Sequence, residues 1–178
     1  GLGDLVSLVG RAQLVDHVFE LDFGPEGIGG NRNSLVGDGY YAFNDVHAMM
    51  ALVGAGRFGE ARRLIGTLEK VAAQATLNGE MTRLVGLPAA RAFLAFGEGS
   101  HEEALEQLLP ALPVAQRHGG SHAQRDVLQL TATEAALRGG RQSAARGLVR
   151  SASPRSRRAW TTSRWRSAAA CGRRLRAA

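Results

Sequence analysis

Two short runs hold the side chains best equipped for chemistry in this chain: Asn44, Asp45 and His47 in one, and Ser121, His122, Gln124, Arg125 and Asp126 in the other. Each run sets an imidazole beside a carboxylate, the combination that can move a proton or share a metal ion. Arg125 adds a planar fork of donors suited to a carboxylate or phosphate. His122 and Asp126 are four residues apart, which on a helix puts them on one face, within reach of each other or of a common ligand.

Three uses are open to these residues. In the first, Asn44 and Ser121 cap helices, Asp45 and Asp126 favour the positive helix ends, and the Arg and His bond neighbouring elements. In the second, Asn44, Asp45, His122 and Arg125 hold a peptide or a small acidic ligand. In the third, His47, His122, Asp45 and Asp126 act as metal ligands or as an acid and base, although an HxxxD spacing also occurs on ordinary helices. His17, His101 and His118 lack convincing partners in the sequence and are expected to face solvent.

Both runs open apolar helical stretches, and those stretches recur. Gly56 with Ala61, Gly99 with Ala104 and Gly140 with Ala145 form a Gly-x4-Ala element three times, roughly 42 residues apart. Each copy closes one stretch (His47 to Val53, Ala90 to Phe96, Val127 to Leu137) and opens another, so the repeating unit is a pair of antiparallel helices. A lone hairpin cannot bury its apolar face, and repeats of this length imply hairpins stacked in an α-solenoid.

The pattern predicts the elements in outline. Asn44 is placed to cap a helix with Val46, Met49, Met50 and Val53 on one face, the methionines filling core. The return helix puts Phe58, Ala61, Ile65, Leu68, Ala72 and Ala75 on one stripe. The second pair spans Leu84 to Gly97 and Ser100 to Arg117, with Ser100 and Glu103 spaced as a capping box and a break expected near Leu109 from Pro110 and Pro113. The third opens at Ser121, where Gln124 completes a second possible box, and its return helix runs from Arg141 to about Val149.

Four regions follow. Residues 1–21 carry Leu5, Val9, Ala12 and Phe19 at helical spacing, and 22–43 are too rich in glycine for a regular element and are expected to be flexible. Residues 44–150 form the helical-repeat domain, and 151–178 are an Arg-rich tail expected to be disordered. Gly24 to Gly30 is no phosphate loop, because no strand precedes it and the Walker Lys and Ser/Thr are missing.

The net charge of +6 averages two unlike parts. Residues 1–140 hold all 16 acidic side chains but only half of the 22 basic ones, whereas the rest are arginines at 141–178 with no acid among them. The tail, with Trp160 and Trp165, is expected to stick to polyanions without specificity, and no specific nucleic acid is expected as a partner. No run approaches the roughly 20 apolar residues of a membrane span, and the opening residues lack the pattern of a secretory leader. A single cysteine, Cys171, excludes an internal disulfide. The expectation is a cytoplasmic protein, and a piece of a longer chain.

FNDVHAMMALVGAGRF (Phe43 to Phe58) and GGSHAQRDVLQLTATEAAL (Gly119 to Leu137), with the linking VGLPAARAFLAFGEGSHEEALEQLLP and the opening GLGDLVSLV, resemble the tetratricopeptide repeat protein 38 family. The resemblance covers about Asn44 to Val149 and implies a tetratricopeptide-like solenoid, of which this chain reads as a truncated or partly aberrant member. In such a stack the first helix of each hairpin lines a concave groove, so both polar runs are expected to face it. The reading is a non-enzymatic scaffold that binds a protein or peptide, needs no cofactor or metal, and uses Asn44, Asp45, His47, His122, Gln124, Arg125 and Asp126 as groove residues. An enzyme or a protein binding a metal or small ligand through the same cluster is the alternative.

Overall fold

The computed structural model describes Gly39, residues 41–120 and residues 122–152. The expected first helix, most of the glycine-rich segment, the Ser121 cap and the tail beyond Ala152 lie outside the described residues, as do the side chains of His122 and Gln124. Every regular element among the described residues is helical, so the described part of the chain is all-α. In order these are α1 (Ala42–Gly54), α2 (Phe58–Ala72), α3 (Leu77–Met81), a π-helical turn (Thr82–Gly86), α4 (Leu87–Gly97), α5 (His101–Leu108), a 3-10 segment (Leu112–His118), α6 (His122–Arg138) and α7 (Gln142–Ser151).

The three Gly-x4-Ala copies make three equivalent turns. After α1, the Gly56 amide donates to the Val53 carbonyl and the Arg57 amide to Leu52; after α4, Gly99 donates to Phe96 and Ser100 to Ala95; after α6, Gly140 donates to Leu137 and Arg141 to Ala136. This pair of bonds satisfies carbonyls left open at a helix end, and it requires a left-handed residue between them. Gly56, Gly99 and Gly140 supply it, with φ of 71°, 85° and 72°. Ala61, Ala104 and Ala145, five residues on, are all buried.

The helix starts differ from expectation. α1 begins at Ala42, with Tyr41 at its N-cap and no side-chain cap, so Asn44 lies inside the first turn, exposed, and caps nothing. A residue distant in sequence does the work: Asn78 Oδ1 accepts from the Ala42 amide at 3.0 Å, and Asn78 Nδ2 donates to the Gly39 carbonyl at 2.9 Å. Ser100 does occupy the N-cap of α5 but makes no side-chain cap bond, so the expected box does not close.

The first helix of the second hairpin is longer than its apolar pattern suggests. α3, the π turn and α4 run on with helical dihedrals at Met81, Thr82, Gly86 and Leu87, and the Leu87 amide reaches back five residues to the Thr82 carbonyl. Pro88, which has no amide hydrogen and crowds the carbonyl one turn back, follows immediately. The wider turn accommodates it without breaking the rod. Downstream, Pro110 and Pro113 end α5 at Leu108 as expected, and the chain tightens into the 3-10 segment.

Neighbouring helices pack in succession: α1 on α2, α4 on both, α5 on α4, α6 on α5 and α7 on α6. One continuous core joins them, with Met49, Leu64, Leu68, Leu105 and Leu108 fully buried, each side chain worth about 1.5–3 kcal/mol relative to exposure. Alanines fill much of the rest, including Ala89, Ala90, Ala92, Ala104, Ala132, Ala135 and Ala136. On α2, Ala61, Leu68 and Ala72 are buried as expected and Leu64 and Val71 join them, whereas Ala75 falls past the helix end and is exposed.

Candidate functional site

A cleft of ≈ 210 Å³ opens where the 3-10 segment folds back beside α6. Leu112, Ala115 and Gln116 form one wall, Arg125, Asp126 and Gln129 the other, and Ser151 with Ala152 closes the end. The prolines that stop α5 create the first wall, because the chain turns before resuming as a 3-10 segment. Gly119 and Gly120, with φ of 88° and 73°, turn it again into α6.

Some of the polar groups in the cleft are already engaged, and others are presented to a ligand. Arg125 Nη1 donates to the Gly119 carbonyl at 3.3 Å and to that of Gly120, which ties the start of α6 to the turn before it. Gln129 Nε2 donates to the Leu148 carbonyl at 2.9 Å and Ser151 Oγ donates to the same carbonyl at 2.9 Å, satisfying the end of α7. The half-buried Asp126 supplies a carboxylate that can accept from a ligand.

The structure brings only part of the expected cluster here. Arg125 and Asp126 line the cleft; Asn44, Asp45 and His47 do not. Asp45 and His47 are buried in α1, 9% and 6% exposed. His47 Nδ1 lies 2.8 Å from the Phe43 carbonyl, which can only accept, so that nitrogen carries the proton. Gln116, Gln129 and Ser151 were not singled out in the sequence, since neither amides nor a serine in helical context carry a signature.

His118 corrects a second expectation. It ends the 3-10 segment 4% exposed, not facing solvent, with its ring centroid 5.7 Å from that of Phe43, which in turn lies 4.2 Å from the His47 ring. Neither ring nitrogen of His118 has a hydrogen-bond partner among the described residues. Burial, helped by the nearby His47, holds its pKa down to about 4. His101 is half-buried against Phe96 at 5.2 Å, its pKa lowered by burial first and by Arg138 second, with Glu134 opposing.

Among the described residues no three His, Cys, Asp or Glu side chains converge as metal ligands do, and no helix is long and apolar enough to cross a membrane. No protein-family model matches the chain, and no solved structure matches it.

Proposed function

We propose that the chain is a tetratricopeptide-like helical-repeat scaffold, related to the tetratricopeptide repeat protein 38 family, that binds a peptide segment of a protein partner without catalysing a reaction. The repeating turns and the succession of packed hairpins support a solenoid, and a solenoid's use is the surface that its stacked helices present. The single cysteine suits a reducing, cytoplasmic setting.

The observation that carries the binding reading is the size and lining of the cleft. At ≈ 210 Å³ it falls short of the roughly 300–1,000 Å³ typical of small-molecule and cofactor pockets, and matches one or two side chains of a peptide lying across it. Asp126 offers an acceptor for a peptide amide or a basic side chain, with Leu112 and Ala115 supplying apolar contact.

Selection of a displayed random-peptide library on the purified protein tests this. Enriched peptides are expected to lose about tenfold or more in affinity to Asp126→Arg, a change of roughly 1.4 kcal/mol, and to bind Arg146→Ala normally, since Arg146 is exposed on α7 away from the cleft lining. Failure to enrich any sequence, or binding indifferent to Asp126→Arg, would remove the reading.

A further inference from the structure

The wall of the cleft that carries Leu112, Ala115 and Gln116 ends in His118, which is buried against α1. The imidazole sits among Phe43 and His47 of α1, almost wholly buried, with no hydrogen-bond partner for either nitrogen among the described residues. Directly after it come two left-handed glycines, Gly119 and Gly120. The Tyr41 hydroxyl lies so close over Gly119 that a Cβ built there would stand 2.8 Å from it. A buried anchor on one side and a backbone with wide conformational freedom on the other are the two parts of a hinged wall.

We propose that His118 is a proton-sensitive latch: neutral, it pins the 3-10 wall against α1, and protonated, it releases that wall to move about Gly119 and Gly120. A neutral imidazole in this place behaves as a flat, mostly apolar plate against Phe43. An imidazolium would have two charged donors that no group among the described residues is seen to receive, a costly state that the segment escapes by carrying the ring into water.

The surrounding cationic side chains are engaged with other groups. On the same segment, Arg117 is paired with Glu80 of α3 at 2.8 Å. On the π turn, Arg83 donates to the Ala72 carbonyl of α2 at 3.2 Å. On α6, Arg125 is engaged with the Gly119 and Gly120 carbonyls, and Asp126 lines the cleft. On α1 stand His47, whose Nδ1 proton is given to Phe43, and Asp45 two residues before it. The group whose charge bears on His118 is His47, and positive charge on that ring disfavours a proton on His118.

The latch regulates the cleft assigned above to peptide binding and rests on that assignment only for its purpose. Its test needs no peptide, so failure of one leaves the other standing. Amide exchange of the full chain is followed from pH 7.5 to 5 and corrected for the intrinsic pH dependence of exchange. Protection at Leu112–Gly120 is expected to fall roughly thirtyfold, the ratio for a base of ordinary pKa in the open state and about 4 in the closed one, while α4 and α5 lose far less. In His118→Phe the fall should vanish. The imidazole resonances of His118 in the unaltered protein provide a reading that does not depend on the variant folding: they should titrate well below pH 6. Titration near 6.5, protection of Leu112–Gly120 independent of pH, a loss shared equally by α4 and α5, or an unchanged loss in His118→Phe would each overturn the latch.

Discussion

The amide of Ser100 donates to the carbonyl of Ala95 at 2.8 Å, and the same bond, five residues back across a left-handed glycine, joins Arg57 to Leu52 at 2.8 Å and Arg141 to Ala136 at 2.7 Å. The intervening glycine is required by backbone and by nothing else: a Cβ added at Gly56, Gly99 or Gly140 would meet no atom within 4 Å. Gly99→Ala should therefore cost about 1–2 kcal/mol, the penalty for a side chain in the left-handed region, as a fall in urea midpoint with an unchanged slope. Gly99→Asn should cost visibly less. Equal cost for both would mean that the turn does not set the price.

Core and surface leucines should separate sharply. Leu64 is fully buried between α2 and its neighbours, so Leu64→Ala should lose about 2–5 kcal/mol through transfer and cavity together. Leu77, 74% exposed at the start of α3, should tolerate alanine within about 0.5 kcal/mol. Urea denaturation of the two variants side by side checks both, and similar losses would contradict the packing described.

Arg138 joins two hairpins. Its guanidinium carbon lies 5.0 Å from the Phe96 ring centroid, and its Nε contacts Glu134 Oε1 at 2.7 Å one turn back on α6. Arg138→Ala should destabilise by roughly 1 kcal/mol, mostly from the cation over the ring, because ion pairs on a helix surface add only tenths. It should also raise the pKa of His101, removing one of the two influences that lower it while burial remains. Proton resonances of His101 in both proteins measure that shift; no upward movement would mean that the guanidinium is not beside the ring.

Stability should fall on the acid side through His118. Its folded pKa of about 4 lies below the ordinary 6.5, so the unfolded chain binds the extra proton between those values. The contribution is whole above about pH 6.5 and is lost as pH drops toward 4, on the order of 3 kcal/mol in all. Unfolding free energies at pH 7.5, 6 and 4.5 should decline more steeply for the unaltered protein than for His118→Phe. Parallel curves would contradict a neutral buried ring.

What the sequence made legible was whatever a residue type encodes by itself. Glycine where only glycine sits comfortably marked the three turns, and Pro110 and Pro113 marked the end of α5. Features set by distant partners were not legible. Asn44 had the chemistry of a cap, yet the start of α1 is held by Asn78, 36 residues away from Ala42. The α3 end of the long rod was hidden because Leu77 is exposed and Gly79 weakens the helical pattern. His118 looked like a surface residue because the 3-10 segment is too short to show a periodic face. Arg125 and Asp126 were found as polar residues at a helix start, while the opposite wall depends on how the chain returns after two prolines.

The π turn at Thr82–Gly86 makes one helix tolerant of changes in length that its neighbours are not. It takes up a surplus residue where the rod passes between α1 and α2, and the buried positions before it, Met81, and after it, Ala89, Ala92 and Phe93, all still face the core. α6 has no such slack: Leu128, Ala132, Ala135 and Ala136 form one unbroken face, and a residue inserted midway would rotate half of it by about 100° into solvent. Single insertions and deletions in descendants of this chain should therefore accumulate around Thr82–Gly86 and be purged from α6.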